Sequence, residues 1–161
     1  MARVEDAGAI AEVHVASWRG AYEGLLSVSL LAAHTVERRA AVWRAELAKS
    51  NQMTWLALDA GSVVGFASVG RARDPDLSGQ VGELYAIYVS PPAWDQAVGH
   101  VRPEKAVSQL GSKYREAVLW VLDSNARARR FYKRHGWLPG GTVKQEQLGE
   151  ATTDRTAASR R

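Results

Sequence analysis

The sequence predicts one α/β (α+β) domain, a mixed central sheet with helices on both of its faces. Three observations lead there. The chain has 161 residues, 46% of them hydrophobic and 24% charged, the length and composition of a single globular domain. Helical and strand periodicities follow one another in the order helix, helix, strand, strand, strand, helix, strand, helix, strand. Two segments, GELYAIYV ending at Val89 and AVLWVL ending at Leu122, are apolar on both faces, as strands covered on two sides must be.

From Asp6 to Trp18 the residues Ile10, Val13, His14 and Ser17/Trp18 fall at three- and four-residue steps, which predicts an amphipathic helix with Asp6 as N-cap. Trp18 and Tyr22 then share a face. A second helix is predicted from Val36 to Leu47, with Val36, Ala40, Trp43 and Leu47 inward and Glu37, Arg38, Arg39, Arg44 and Glu46 outward. Met53 to Leu58, a turn at Asp59-Ala60-Gly61-Ser62, and Val63 to Val69 form a predicted antiparallel hairpin. A polar loop from Arg71 to Gln80 precedes the strand Val81 to Val89, which Pro91-Pro92 stops. A short helix is expected from about Gly99 to Leu110, with Pro103 in its first turn and Gly111 closing it. Ala117 to Leu122 is a buried strand, and Asn125 to His135 a compact helix with Gly136 at C′. TVKQEQL forms one more strand, which ends the expected domain at residues 1–148. The last residues, 149–161, form a polar tail expected to fray.

Composition excludes several functions. The chain contains no cysteine, so disulfides, thiolate zinc sites and cysteine nucleophiles go together, and a cytoplasmic setting is expected. His14, His34, His100 and His135 have neither H-x-x-x-H nor H-E-x-x-H spacing, so no metal is expected. No apolar run approaches the roughly 20 residues of a membrane helix, and MARVEDAGAI lacks the pattern of a signal peptide. Serine-hydrolase elbows, Walker loops and G-x-G-x-x-G are absent as well. The net charge of +4 invites a nucleic-acid reading, but its distribution argues against one. Between Lys113 and His135 seven basic residues face two acidic ones, a local +5, against −1 elsewhere. That segment has few aromatics for stacking and no groove-reading motif, so no nucleic-acid partner is expected.

Two segments carry chemistry. In the first, the strand Val81–Val89 passes through PPAWDQAVGH into a helix N-terminus, where unpaired N–H groups and the helix dipole favour an anion. In the second, NARARRFYKRHGW, residues Asn125, Ala128, Arg129 and Tyr132 recur at helical spacing, so an amide, a guanidinium and a phenol share a face. At these residues the chain resembles the GNAT superfamily of acetyl-CoA-dependent N-acetyltransferases. LYAIYVSPPAWDQAVG is similar to the family's central strand and pyrophosphate loop, usually Q/R-x-x-G-x-G/A. AVLWVLDSNARARRFYKRHGW is similar to its next strand and helix, N-x-x-A-x-x-F-Y-x-x-x-G-[FW]. SWRGAYEGLL resembles the substrate-side helices, so the likeness runs from about Val4 to Leu148.

The resemblance implies a GNAT-like fold, acetyl-CoA as co-substrate, and transfer of acetyl to a primary amine of a small molecule or a protein N-terminus. Glu83, eleven residues before Trp94, matches the strand-borne base, acting through water or by electrostatics; Tyr132 matches the acid that protonates the leaving thiolate. Ile87, Tyr88 and Val89 would meet the pantetheine arm, Val89 by strand-like pairing. Gln96, Ala97, Val98, Gly99 and His100 would offer N–H groups to the pyrophosphate. Asn125 and Ala128 would contact the pantetheine arm and Arg129 the nucleotide phosphates. Trp18, Tyr22 and Tyr85 would line the acceptor site. Each residue also has a plainer reading: Asn125 as an N-cap, Arg129 as a surface charge, Trp18 and Tyr22 as core. Where relatives carry glycine the loop has Asp95 and Ala97, and Trp94 replaces Gln or Arg. The alternative function is therefore a catalytically degenerate binding or dimerisation module. Dimerisation, as a homodimer, would make a second copy of the chain its partner.

Overall fold

In the computed structural model, residues 1–49, 51–77, 79–94, 103–148 and 151–160 are described. Five helices, α1 (Ala7–Tyr22), α2 (Val28–Ala33), α3 (Val36–Leu47), α4 (Pro103–Lys113) and α5 (Ala126–Arg134), surround six strands. The strands are β1 (Gln52–Asp59), β2 (Ser62–Arg71), β3 (Val81–Val89), β4 (Glu116–Leu122), β5 (Leu138–Leu148) and β6 (Ala151–Arg160). They form one sheet in the order β1-β2-β3-β4-β6-β5. Its pairs are antiparallel except β3 with β4. The mixed sheet with helices on both faces is the predicted class.

Each face has its own core. On one, Ile10, Ala11 and Val13 of α1 and Ala40 and Trp43 of α3 close over Phe66 of β2. On the other, Ala106 and Leu110 of α4 close over Val69, Leu84 and Leu119, while Ala128 and Tyr132 of α5 pack at the margin. Leu110 and Leu119 are each 1% exposed, which contributes about 2 kcal/mol apiece. The close approach of α4 explains Gly82: a Cβ there would sit 2.7 Å from Leu110 and 2.5 Å from the Tyr114 ring.

Local chemistry accounts for the boundaries. Thr35 caps α3 by accepting from the Arg38 N–H, and Asn125 caps α5 by accepting from the Ala128 N–H at 3.0 Å. Ala60 and Gly61, at φ 45° and 84°, make the two-residue turn of the β1–β2 hairpin, both left-handed as such a turn requires. Gly136 at φ 81° follows α5 as expected.

Several expectations need correction. Asp6 does not cap α1; its carboxylate reaches back to the Arg3 N–H at 2.7 Å, closing a helical turn over Val4–Asp6. Ser27, by accepting from the Leu30 N–H, opens a short helix α2 that the sequence reading passed over. Gly111 lies inside α4 rather than ending it. Arg39 and Glu46, expected to point outward, are partly buried. The largest difference concerns the expected frayed tail, which forms β6 between β4 and β5. There Thr156, Ala157 and Ala158 are buried, because the backbone of β4 and β5 supplies partners on both edges.

Deleting residues 151–161 would therefore remove an interior strand, not a tail. Loss of the cooperative thermal transition is expected by circular dichroism; a shortened chain that still unfolds cooperatively would show β6 to be dispensable.

Candidate active site

The site grows from an irregularity in β3. Ser68 of β2 pairs with Ala86 and Val69 with Leu84, leaving Tyr85 as an extra residue in the strand. Such a bulge bends a strand and re-aims its side chains. Here Tyr85 and Ala86, adjacent in sequence, line the same cavity. The β3–β4 ladder extends only from Val81 with Glu116 to Leu84 with Leu119, although β3 runs on to Val89. Beyond the bulge, β3 stays paired to β2 alone. The Ser90 N–H donates to the Val64 carbonyl at 2.9 Å while Val89 stands opposite Gly65. In antiparallel geometry this turns the Val89 N–H and C=O away from β2, toward the opening beside β4.

That opening is furnished by Trp94, whose Nε1 donates to the Val89 carbonyl at 2.7 Å. Ser17 Oγ of α1 donates to the same carbonyl at 2.5 Å. The Arg127 guanidinium of α5 lies 4.0 Å from the Trp94 ring centroid. The indole also fixes Gly20, where a Cβ would come within 2.8 Å of it. Trp94 thus bridges α1, the end of β3 and α5.

On the α1–α3 face lies a cavity of about 320 Å³. Its walls are aromatic and basic, with Trp18, Tyr22, Trp43, Tyr85, Tyr88, Arg39, Arg73 and Arg155 among them. His14 organises it. The ring is stacked on Tyr88 at 4.4 Å, and its Nδ1 accepts from Trp43 Nε1 at 3.0 Å and from Arg39 Nη2 at 3.2 Å. Two donors on Nδ1 require a neutral ring with its proton on Nε2. Burial, with Arg39 adding repulsion, accordingly pushes its pKa down to about 3.

The expected acceptor-side residues meet here. Trp18 is buried and stacks on His34 at 4.4 Å and against Tyr22 at 4.3 Å. Tyr85 donates its hydroxyl to the Arg71 carbonyl at 2.5 Å and lies beneath the Arg73 guanidinium; burial and the Glu83 charge push its pKa up to about 12. Glu83 is 2% exposed and sits one step behind the wall. Its oxygens accept the Arg73 backbone N–H at 2.9 Å and the guanidinium at 2.5 Å. Asp74, next in the loop, accepts from Trp120 Nε1 at 2.9 Å and pairs with Lys144, so the β2–β3 loop is tied across β4 and β5.

Tyr132 of α5, expected on the donor side, packs at the edge of the α4 core. Burial pushes its phenol well above the ordinary range, with Tyr22 reinforcing and Arg155 opposing the shift. Tyr88 is raised in the same way, by burial first and then by Tyr22 and Tyr132. Tyr22 thus acts electrostatically on both phenols. Ile87 faces the α4 core and Tyr88 the cavity. Asn125 is 6% exposed, its Oδ1 spent on the cap that also fixes Ala128. Arg129 bonds Asp123 at 3.0 Å through its side chain and 3.1 Å through its carbonyl. Gln96, Ala97, Val98, Gly99 and His100, with Asp95, lie outside the described residues.

Sequence reasoning missed His14, Arg39, Arg73, Arg155 and the bridging role of Trp94. One signal was available: Val36, Arg39, Trp43 and Glu46 follow the 3-4-3 spacing of one helix face.

The pattern of the Acetyltransferase (GNAT) family matches residues 16–137. The uncharacterized N-acetyltransferase YuaI of Bacillus subtilis (strain 168) is 32% identical over 126 residues, covering 77% of this chain and 70% of that one. PaiA N-acetyltransferase from Thermoplasma acidophilum, solved in complex with coenzyme A, has a TM-score of 0.69 at 17% identity, across 99% of this chain and 95% of its own. A GCN5-related N-acetyltransferase from Rhodopseudomonas palustris gives 0.73 at 23% identity, across 97% and 89%. The two solved structures speak for the fold; the family pattern and the Bacillus relative carry the lineage, and by them the chain belongs to the GNAT family of acetyl-CoA-dependent acetyltransferases.

Proposed function

We propose that the chain transfers an acetyl group from acetyl-CoA to a primary amine by direct attack, the donor lying along the β4-facing edge of β3 and the amine entering from the aromatic cavity. The observation that carries this reading is the outward-facing backbone of Val89 beyond the bulge. Its N–H faces the side where an extended amide chain would add as a strand, while its C=O, turned the same way, already accepts from Trp94 and Ser17. Acetyl-CoA supplies an activated thioester carbonyl. The Asn125 amide would bond the pantetheine arm against Ala128. Arg129 would turn to the nucleotide phosphates, since its bridge to Asp123 is exposed on both sides and worth at most about 1 kcal/mol. A volume of about 320 Å³ lies at the low end of small-molecule sites and favours a small acceptor over a protein N-terminus.

Within this reading Tyr132 is the proton donor to the departing thiolate. Its phenol is protonated at physiological pH, as an ordinary tyrosine is, and burial raises its pKa further. Glu83 acts electrostatically, because both of its oxygens already accept from Arg73; it holds the guanidinium over Tyr85 and so shapes the cavity wall. The amine must then arrive neutral.

A second reading rests on Trp94. Its indole N–H occupies the Val89 carbonyl, so acetyl-CoA binds weakly unless the indole yields, which is the physical content of the degenerate alternative.

Two measurements test these assignments. Tyr132→Phe is expected to lower kcat about 100-fold or more with little change in KM, whereas Glu83→Gln should act mainly on the acceptor KM; an unchanged kcat in the first variant would remove the acid. Trp94→Phe keeps the ring and removes the donor. If the indole competes for Val89, calorimetry will show acetyl-CoA binding about 2- to 10-fold tighter, the worth of one hydrogen bond; an equal or weaker affinity would show that Trp94 supports the site.

A further inference from the structure

We infer that the aromatic cavity recognises a carboxylate on its acceptor, held chiefly by Arg39, so that the substrate class is a small amine of amino-acid type. This rests on the acetyl-transfer reading and adds to it the chemistry of the acceptor. Three observations lead to it. First, Trp18 Nε1, Arg39 Nε and Gln52 Nε2 are buried N–H groups with no hydrogen-bond partner, and all three residues line this one cavity. Trp18 is itself 8% exposed. All three groups are donors, so the unmet demand around this cavity is for acceptors, and a carboxylate brings about four acceptor sites.

Second, Arg39 lies in the favourable field of Glu46, but no carboxylate among the described residues is in contact with it. Its guanidinium is anchored by the neutral His14 ring. A partly buried cation held by a neutral acceptor is complemented by an anion from outside. His14 fixes the fork without neutralising it, because its Nδ1 lone pair is shared with Trp43.

Third, the surrounding charges are mostly positive. Arg155 of β6 enters the wall with one N–H on the Trp120 carbonyl. Glu46, the one acidic side chain among the described wall residues, pairs with Lys49 at 2.6 Å. Arg73 is committed to Glu83. The described wall therefore favours an anion on the acceptor and disfavours a polycation.

The test uses matched acceptors: α-amino acids with aliphatic and aromatic side chains, and their carboxamides. The amide's amine is the less basic and more often neutral at pH 7.5, so intrinsic reactivity favours the amide and any preference for the acid reports recognition. With acetyl-CoA, kcat/KM is expected to favour the acids at least tenfold. Arg39→Gln should bring the ratio near one, with Arg39→Lys between. Amides equal to or better than acids in the unaltered protein, or a ratio indifferent to Arg39→Gln, would overturn the inference while leaving acetyl transfer intact. Tryptophan fluorescence, read through Trp18 and Trp43, follows acceptor binding without acetyl-CoA and decides the carboxylate preference even where no transfer occurs. Failure to bind acetyl-CoA in a calorimeter strikes the acetyl-transfer reading alone.

Discussion

Parallel pairing between β3 and β4 stops after Leu84 and Leu119, and the arrangement of the site depends on that short ladder. Up to that point the two strands share a core under α4. Past it the extra residue, Tyr85, turns β3 so that the strand keeps its bonds to β2 and exposes its other edge. Backbone groups on such an edge need partners. The chain meets part of the need itself, through Trp94 and Ser17 on the Val89 carbonyl. Tyr88 lies on one face of this parting and Tyr132 on the other, and the charge of Tyr132 adds to the rise of the Tyr88 pKa.

Around this opening, polar side chains are arranged by neutral and charged anchors with different consequences. Arg73 is neutralised by Glu83, and that pair stiffens the β2–β3 loop, which Asp74 also fastens to Trp120 and Lys144. Arg39 is positioned by an uncharged imidazole, and no carboxylate among the described residues contacts it. A guanidinium held by a carboxylate is a structural strut, whereas one held by histidine is available to a ligand. The distinction also explains why Glu83 is better placed to shape the wall than to take a proton directly.

The fold was legible where local signals agreed with the tertiary arrangement. α3 has the predicted bounds because Thr35 supplies a cap and the apolar stripe keeps a helical period; β3 has them because both of its faces are apolar. β6 was not legible: ATTDRTAASRR is polar, and its strand character comes from lying between β4 and β5. The shared helix face of Asn125 and Tyr132 was readable from their spacing, but the sequence carried no mark of the bulge at Tyr85, where neither glycine nor proline stands. Arg39 was misplaced because a charged residue beside an apolar stripe reads as solvated, and only the position of His14, 25 residues away, turns it inward.

The central claim is that the outward edge of β3, with the Trp94 indole on it, receives acetyl-CoA. An acetyl-CoA titration followed by amide and indole resonances in a nitrogen–proton correlation spectrum tests it most directly. The account predicts saturable shifts at the Val89 amide and at the Trp94 indole N–H, with smaller changes in β1 and β6. Saturable binding that left both of these resonances unmoved would contradict it.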